Sequence, residues 1–383
     1  MKILQVVSYF PPALSFGGPP RCAYQVSKEL VKRGHSVTVC TTNALDQQKN
    51  LLIKNRKRVL NGVEVYYFRN ILRFGKIFFS PETATFLRKN LKEFDVVHLH
   101  EYRKSQNIIA HYYAQKYSVP YIVQPHGSLP MFIAKRKLKW LYDAFFGNRL
   151  LRDAAKVVAL SELEVQQLKV MGLPEEKIEI IPNGIDLEEY VDLPPKGSFK
   201  RKYSISDETK LILYLGRIHE SKGLAILLDA FCIVKRRLAN VMLVIVGPDD
   251  GYATVFLKLV TDLKLRENVL FTGFVEDSIR LSALADSDTL VTPLFSGFPV
   301  TFLEACFTGC PIVTTSEELD WIHDNVGYVS QKSSISLAEA ILNILQDKGI
   351  SEQFQSNCKK MIKNFDISRI TSQLENTYKS VLQ

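Results

Sequence analysis

The residues with the clearest chemical potential lie between 289 and 315. An apolar segment there predicts a buried strand, residues 296–299 predict a tight loop, and a helix is predicted to begin near Val300 and to end at Gly309. A helix entered through such a loop offers unpaired backbone N–H groups and a positive dipole end to an anion. Glu304 lies one turn into the helix, where its carboxylate can reach ligand hydroxyls. The pattern is typical of a nucleotide-sugar site.

Two cations form a second candidate group. Arg217 and Lys222 lie five residues apart in a loop bounded by Gly216 and Gly223, between a predicted strand and a predicted helix. An arginine fork and a lysine point charge together suit a diphosphate. Such a pair alone is more typical of solvated surface charge. If this pair lies beside the start of the helix near Val300, the two cations and the helix N-terminus would together form one anion site.

Histidines follow two predicted strands of the first half. Alternation along residues 95–100 places His98 and His100 on one face near the carboxyl end of a strand. His126 follows the strand that begins at Pro120, in a sharp turn. Because open α/β sheets bind ligands outside the carboxyl ends of their strands, we expect His126 to be functional. For His98 and His100, a packing or capping role is favoured over lining the site.

Two shorter patterns are less specific. Gly17 and Gly18 precede a helix predicted from Arg21 and could let the backbone approach a phosphate, although a plain turn fits them equally well. Asp286 and Asp288 spell the DxD pattern of some metal sites. They lie at a predicted helix-to-strand junction, where aspartate commonly caps or turns the chain. We interpret the two aspartates as structural and predict no required metal.

Residues 131–152 combine cations with aromatic side chains. Four cations fall within 135–139, and a second basic cluster lies at 54–58. The aromatic residues that follow the first cluster are Trp140, Tyr142, Phe145 and Phe146. Helical spacing would separate a basic edge from an aromatic edge, as in a helix lying on an anionic membrane surface. The alternative is a surface helix whose aromatic residues join the core. Nucleic-acid binding is not predicted, because no recognised module is visible.

Composition limits the class of protein. A chain of 383 residues with 46% apolar and 23% charged residues fits a soluble protein of two domains. No apolar run approaches the roughly 20 residues of a membrane span, and the N-terminus predicts a strand rather than a signal peptide. Six cysteines without a CxxC pair indicate reduced thiols in a cytoplasmic protein. Residues 1–186 hold 28 Lys and Arg against 15 Asp and Glu, whereas residues 187–383 hold 21 against 25.

Strands and helices alternate through both halves, which predicts an α/β fold of two doubly wound units in tandem. We predict a first domain at 1–190 and a second at 191–365. The polar, proline-containing segment 187–202 is the predicted linker. The last helix, within 366–383, is predicted to pack back on the first domain.

The motifs taken together, in this order, resemble those of family 4 glycosyltransferases, the retaining group 1 type with the GT-B fold. The resemblance covers nearly the whole chain. The matching segments are Gly17-Gly18, His126-Gly127, and residues 182–186, 216–223 and 298–311. It implies two Rossmann-like domains that face each other across a cleft, with the acceptor in the first domain and the nucleotide-sugar in the second.

The resemblance also implies residue roles. Arg217 and Lys222 would neutralise the donor diphosphate, and Glu304 would bind the ribose. His126 would contact the transferred sugar. The remaining donor contacts would come from the loop at Phe274 and Val275 around the base, and from Gly17, Gly18, Ser296, Gly297, Phe298, Val300 and Thr301. The first domain of such enzymes often rests on a membrane, which strengthens the prediction for 131–152.

Two positions depart from the family pattern. Ser296 stands where the first of two glutamates eight residues apart is usual, and a serine cannot stabilise positive charge at the reacting carbon. The departure favours front-face retention, in which a diphosphate oxygen assists the acceptor, but equally permits altered donor choice or weak activity. Pro299 replaces a usual glycine and removes one N–H donor.

The sequence therefore predicts a metal-independent enzyme without a cofactor. It would move a sugar from a UDP- or GDP-sugar to a hydroxyl of a glycan or lipid-linked acceptor, in the cytoplasm or on the inner membrane face. Two alternatives stay open: a GT-B nucleotide-sugar epimerase, and a donor-binding subunit without catalysis, which the serine at position 296 suggests.

Overall fold

A computed structural model describes residues 1–14, 17–46, 49–52, 55–74, 77–129, 136–295 and 297–383. The chain forms two compact units. The first comprises Met1–Ile185 and Ile367–Gln383, and the second is Asp186–Asp366. Each unit is built on a mostly or wholly parallel sheet, which confirms the predicted α/β class.

The first unit alternates strands and helices along the chain. Its strands are β1 (Lys2–Val6), β2 (Ser36–Thr42), β3 (Lys57–Leu60), β4 (Val63–Phe68), β5 (Leu72–Phe74), β6 (Ile77–Phe79), β7 (Val96–His100), β8 (Tyr121–Gln124), β9 (Lys156–Ala159) and β10 (Ile178–Ile180). Its α-helices are α1 (Gly18–Lys32), α2 (Pro81–Asn90), α3 (Ser105–Tyr117), α4 (Arg136–Tyr142), α5 (Asn148–Arg152), α6 (Glu162–Val170) and the C-terminal helix (Ile367–Ser380). The main sheet has the order β10-β9-β8-β7-β1-β2-β4-β3.

The edge of this sheet holds a hairpin that the sequence interpretation missed. β3 pairs antiparallel with β4, and Asn61 and Gly62 connect them with φ of 46° and 79°. Two positive φ values match a type I′ turn, for which Asn-Gly between strands is the usual signal. The basic cluster predicted at 54–58 therefore extends into an edge strand, where Lys57 pairs with Glu64 at 2.7 Å. Charged side chains on an edge strand discourage pairing with other chains.

The second unit has a smaller sheet. Its strands are β11 (Lys210–Leu215), β12 (Val241–Val246), β13 (Val269–Gly273), β14 (Thr289–Thr292), β15 (Ile312–Thr314) and β16 (Gly327–Val329), in the parallel order β13-β12-β11-β14-β15-β16. Its α-helices are α7 (Ser198–Lys202), α8 (Leu224–Arg237), α9 (Ala253–Asp262), α10 (Asp277–Asp286), α11 (Val300–Thr308), α12 (Ser334–Gln346) and α13 (Lys348–Met361). The strands read as continuous apolar runs because helices cover both faces of a doubly wound sheet.

The predicted linker at 187–202 is folded as part of the second unit. A 3₁₀ turn spans Leu187–Tyr190, and α7 follows. The side chains of Tyr190 and Phe199 are buried. Burial of these two aromatic rings gives the segment a fixed structure that its proline and lysine content did not suggest.

Within the described part of the chain, no helix is both long and apolar enough to cross a membrane. All six cysteines are free thiols.

The carboxyl ends of β11 and β12 approach each other closely at Gly216 and Gly247. Gly247 has φ of 147°, and a Cβ atom built there would lie 1.9 Å from the carbonyl oxygen of Gly216. That overlap involves backbone, which cannot rotate away. A side chain at position 247 would therefore push apart the strand ends that carry the Arg217 loop.

We expect Gly247→Ala to destabilise the second unit by at least about 2 kcal/mol more than Gly251→Ala. Gly251 is the matched control, because its φ is also positive, at 93°, but an added Cβ meets nothing within 4 Å. The measurement is urea unfolding of both variants. Equal midpoints would show that the close approach of the strands does not matter.

Candidate active site

The strand order of the second unit reverses beside β11. β11 pairs with β12 on one side and with β14 on the other, so the loops after β11 and β14 leave the sheet at a topological switch point. The two loops touch: a Cβ on Gly223 would lie 3.0 Å from Cβ of Pro293. The structure thus brings the Arg217–Lys222 loop beside the segment that leads into α11.

Arg217 has a carboxylate partner that the sequence interpretation did not include. Its guanidinium forms an ion pair with Asp250, in the loop after β12. The arginine side chain is 34% exposed, so a solvent-borne anion can also reach it. The signal was present in the sequence, because Asp250 follows the next strand along the chain at the same sheet edge. An anionic ligand at Arg217 would compete with this carboxylate.

A second acidic group, Glu318, interacts electrostatically with Lys222. The Glu318 Oε2 atom accepts a hydrogen bond of 3.1 Å from the Gly297 backbone N–H. Burial raises the pKa of Glu318, and the Gly297 hydrogen bond and the Lys222 charge oppose this rise. The Glu318 carboxylate therefore interacts with both the Lys222 charge and the Gly297 N–H group. The sequence interpretation missed Glu318, which lies beyond β15 and belongs to none of the motifs.

Helix α11 begins at Val300, as predicted, with Pro299 at its N-cap position. Thr301 is the second residue of the helix. The first-turn N–H groups of such a helix lack partners within it. Gly309, with φ of 75°, ends the helix, which confirms the predicted stop. Ser296 lies outside the described residues.

Glu304 is held inside the unit by two partners that were not predicted. Its side chain is 2% exposed, Oε1 accepts a 2.9 Å hydrogen bond from the Tyr190 hydroxyl, and Oε2 pairs with Arg280. Burial opposes the charge of Arg280, but the carboxylates of Glu304 and Asp277 raise its pKa overall. A ribose hydroxyl that binds Glu304 must share these oxygens with protein donors.

Two other predicted donor contacts differ in exposure. Phe298 is buried, and its ring packs against Trp321 and Phe365 at centroid distances of 6.0 and 5.4 Å. It anchors the loop before α11 in the core. Phe274 and Val275 follow β13, and the Phe274 side chain is 69% exposed. An exposed ring at the carboxyl end of a strand is available for stacking on a planar group.

In the first unit, His126 follows β8 with φ of 54°. Its ring stacks on that of His100, with Nε2 of His126 2.9 Å from Nδ1 of His100. The next residue, Gly127, donates its N–H to Glu164 at 2.8 Å. Burial lowers the pKa of His126 to about 3, so the ring is neutral at physiological pH. The turn therefore holds one uncharged imidazole in a fixed orientation.

His98 and His100 share one face of β7, as the alternation predicts. Both side chains are buried, and their rings stack at 4.1 Å. Burial lowers the pKa of His98 to about 3 and that of His100 well below its ordinary value. The packing role favoured from the sequence holds for His98, whereas His100 packs and also contacts His126.

Helix α1 begins at Gly18, three residues before the predicted start at Arg21. Gly17 is the N-cap residue with φ of 101°, which favours glycine. Pro19 and Pro20 occupy the first turn and carry no N–H. Of the first three helical residues, Gly18 therefore keeps a backbone N–H that can be offered to a phosphate.

Asp286 and Asp288 bind the backbone. Asp286 accepts hydrogen bonds from the N–H groups of Gly197, Phe199 and Lys200 at the start of α7. Asp288 accepts one from Leu211 at 2.8 Å. Across the described residues, no group of three or more His, Cys, Asp or Glu side chains is arranged to hold a metal ion.

The helical segment after His126 runs from Arg136 to Arg152, with a π-helical turn at Asp143–Gly147 between α4 and α5. Residues 131–135 lie outside the described residues. Asp143 faces inward and pairs with Arg103 at 2.6 Å. The large apolar side chains exposed on the outer face are Leu138, Trp140, Leu141, Phe145 and Phe146. The alternative in which the aromatic residues join the core is therefore wrong for Trp140, Phe145 and Phe146. Tyr142 is half-buried.

Comparison with known proteins agrees with this architecture. Residues 16–189 match Glycosyltransferase Family 4, and residues 196–362 match Glycosyl transferases group 1. An uncharacterised glycosyltransferase of Methanocaldococcus jannaschii is 26% identical over 410 residues, covering 100% of this chain and 99% of the relative. The phosphatidyl-myo-inositol mannosyltransferase of Mycobacterium tuberculosis is 25% identical, covering 95% and 93%.

Further similarity comes from an Escherichia coli enzyme and from solved structures. The enzyme is UDP-Gal:alpha-D-GlcNAc-diphosphoundecaprenol alpha-1,3-galactosyltransferase, which is 25% identical with coverage of 83% and 84%. Anabaena HepE, solved with UDP and glucose, superposes with a TM-score of 0.78 at 20% identity over 99% of this chain and 100% of HepE. The glycosyltransferase WaaG gives a TM-score of 0.71 at 18% identity, with coverage of 98% and 99%.

The matches extend over both units and name transferases, which decides against the epimerase and the non-catalytic subunit. Two Rossmann-like units and the two family matches agree: the chain belongs to the family 4, group 1 glycosyltransferases of the GT-B fold.

Proposed function

We propose that the enzyme transfers a sugar, with retention and without a metal, from a UDP- or GDP-sugar to a hydroxyl of a glycan or lipid-linked acceptor in cell-surface glycan assembly. The observation that carries the donor assignment is the contact between the Arg217–Lys222 loop and the segment entering α11 at the β11–β14 switch point. Cations and a helix N-terminus at one point suit a diphosphate.

Several relatives support the substrate classes. The Escherichia coli relative takes UDP-Gal and an acceptor linked to diphosphoundecaprenol, and the mycobacterial relative acts on phosphatidyl-myo-inositol. HepE was solved with UDP-glucose as well. A nucleotide-diphosphate sugar and a lipid-linked acceptor are therefore the substrate classes that we assign to this chain.

The proposed reaction breaks the bond between the anomeric carbon and the diphosphate oxygen. The acceptor oxygen bonds to the same face of that carbon, and its proton passes to the departing diphosphate oxygen. Arg217 and Lys222 stabilise the negative charge that develops on the leaving group. On donor binding, phosphate replaces the Asp250 carboxylate at Arg217. Phosphate likewise replaces the Glu318 carboxylate at the Gly297 N–H group.

The other predicted residues take their roles around this centre. We propose that Glu304 binds the ribose, that the Val275 loop holds the base, and that Gly297, Val300 and Thr301 meet the phosphates. Phe298 fixes this loop in the core. We also propose that His126 contacts the transferred sugar and that Gly17 and Gly18 contact the phosphate.

We also propose that the exposed apolar face of the 136–152 segment binds an anionic membrane surface from the cytoplasmic side. Trp140 and Phe145 are 60% and 68% exposed. Lys137, Arg149 and Arg152 are exposed on the same segment. Aromatic rings at the lipid interface together with nearby cations are typical of helices that lie on membranes. Such a location would bring the enzyme to a lipid-linked acceptor.

Lys222→Ala should lower kcat/KM for sugar transfer by about 10²- to 10³-fold, because one stabilising charge is lost from the transition state. In a thermal-shift panel of UDP, GDP and ADP, the preferred nucleotide should raise the Tm of the Lys222→Ala variant less than it raises the Tm of the wild type. Lys258→Ala, at an exposed position on α9, is the control. Transfer that resists EDTA supports metal independence. Unchanged kcat/KM in Lys222→Ala would refute the diphosphate role.

Glu304→Gln should weaken binding of the preferred nucleotide by about 5- to 20-fold, because a charged acceptor for the ribose is lost. Glutamine keeps the size of the side chain and leaves Arg280 a hydrogen-bond partner. Asp277→Asn is the matched control, since it removes the negative charge at a 3.0 Å contact to Arg280 that lies outside the proposed ribose contact. Calorimetric titration measures both, and equal affinities for wild type and Glu304→Gln would contradict the ribose assignment.

The double substitution Trp140→Ser, Phe145→Ser should reduce sedimentation with vesicles of phosphatidylglycerol and phosphatidylcholine by about tenfold or more, because two interfacial anchors are lost. Tyr112→Ser removes an aromatic residue of similar exposure, 60%, from α3 and is the control. Vesicles of phosphatidylcholine alone should bind the wild type more weakly. Equal binding of the double variant and the wild type would refute the membrane surface.

A further inference from the structure

Glu318 is half-buried in the loop that follows β15, and in the proposed reaction its carboxylate only gives way to phosphate. β15 pairs in parallel with β14, so this loop leaves the sheet at the same edge as the segment that enters α11. That segment carries no acidic residue between Pro293 and the first residue of the helix, because position 296 is a serine. The loop after β15 therefore supplies a carboxylate that the segment before α11 lacks.

Contacts on both sides of Glu318 hold the loop after β15 against the segment before α11. On one side, Thr315 donates its backbone N–H and its hydroxyl to the Pro293 carbonyl, at 3.2 and 2.7 Å. On the other side, the Trp321 ring packs against that of Phe298 at a centroid distance of 6.0 Å. Because Glu318 lies between these two anchors, its carboxylate stays at the entrance to α11 even when it changes partner.

The partners of Glu318 differ from those of the other two acids of the site, each of which forms an ion pair with an arginine. Glu318 accepts hydrogen bonds from the Gly297 N–H group and the Ser316 side chain, and it interacts with the Lys222 charge. In the proposed reaction, the donor diphosphate takes two of these three partners, the N–H group and the lysine. Donor binding therefore leaves a half-buried carboxylate in need of other hydrogen-bond donors.

The sugar of the donor can supply these hydrogen bonds. A nucleotide-sugar carries its sugar directly on the diphosphate, so the sugar ring lies beside the phosphate that takes the Gly297 N–H group. The sugar hydroxyls can donate, and an ionised carboxylate only accepts. Hydrogen bonds to such a charged acceptor are roughly twice as strong as those between neutral groups. A carboxylate at this position favours a sugar with free hydroxyls and repels a sugar that is itself negatively charged.

We propose that Glu318 is a specificity-determining residue for the donor sugar, whose carboxylate accepts hydrogen bonds from hydroxyls of a neutral sugar and disfavours a uronate. The inference rests on the proposed function, in which phosphate replaces Glu318 at the Gly297 N–H group. It names the class of sugar that the donor site takes. It also assigns the contact that selects this sugar to a residue that belongs to none of the sequence motifs.

The first test compares each nucleotide with its nucleotide-sugar in the full-length protein. Calorimetric titration gives the Kd of UDP, UDP-glucose and UDP-galactose, and of GDP and GDP-mannose, for the wild type and Glu318→Gln. The variant should bind the sugar-free nucleotide more tightly, because a negative charge beside the phosphate is removed. The ratio of the nucleotide Kd to the nucleotide-sugar Kd should fall by about tenfold, since the charged acceptor for the sugar is lost. An unchanged ratio for every pair would overturn the sugar contact.

The second test changes the charge of the sugar. UDP-glucuronate has a carboxylate where UDP-glucose has its hydroxymethyl group, and GDP-mannuronate stands in the same relation to GDP-mannose. We expect the wild type to bind the uronate of its preferred nucleotide about tenfold more weakly than the neutral sugar, because two negative charges would lie close together. In Glu318→Gln this preference should largely disappear. Equal preference in the wild type and the variant would overturn selection by charge.

Glu317→Gln is the matched control for both tests. Glu317 is the preceding residue, its side chain is exposed, and the substitution removes the same charge from the same loop. It should leave both comparisons at their wild-type values, and an effect as large as that of Glu318→Gln would overturn the direct contact. Nucleotide binding with unchanged ratios overturns this inference alone. If the wild type binds no nucleotide at all, the proposed donor site is overturned, and the inference with it.

Discussion

The candidate donor site depends on the parallel pairing of β11 with β14. Because parallel strands end at the same edge of a sheet, the loop after β11 and the loop before α11 leave together. Neighbouring helices cover opposite faces at a switch point, so the two loops can diverge and leave room for a ligand. The close approach of Gly216 and Gly247 adds a third loop to this edge and brings Asp250 to Arg217.

The charged groups of this site are matched by protein charges. Arg217 pairs with Asp250, Lys222 interacts with Glu318, and Glu304 pairs with Arg280. Such pairs restrict the side chains, which reduces the conformational entropy that ligand binding would cost. An anionic ligand at Arg217 would compete with the Asp250 carboxylate.

In the first unit, buried histidine side chains are likewise held by contacts with other protein groups. The rings of His98, His100 and His126 stack in sequence, from β7 to the turn after β8. Burial lowers their pKa values and keeps them neutral. Polar groups in such a core are costly unless they are paired, and a connected network specifies one arrangement of protons. The helical segment beyond this turn is tied down through Arg103, which pairs with Asp143 and donates to the carbonyl of Ser128. Its aromatic face remains exposed.

The sequence by itself determined the local elements: the α/β alternation, the start of α11 at Val300, its stop at Gly309 and the glycine-bounded Arg217–Lys222 loop. Apolar periodicity, helix caps and glycine positions act over a few residues, so they can be recognised without the fold. The same local signals failed at 187–202, where burial of two aromatic rings overrode the polar composition.

Only the tertiary structure decided which groups meet. Glu304 and Tyr190 are 114 residues apart in sequence, Arg217 and Asp250 are 33 apart, and Gln5 and Tyr378 are 373 apart. It also decided that Phe298, in the loop before α11, is buried. Trp140 is exposed, which the sequence left open because helical spacing separates two faces of a helix without saying which one packs. Strand order and burial provide that information, and neither is encoded in any single motif.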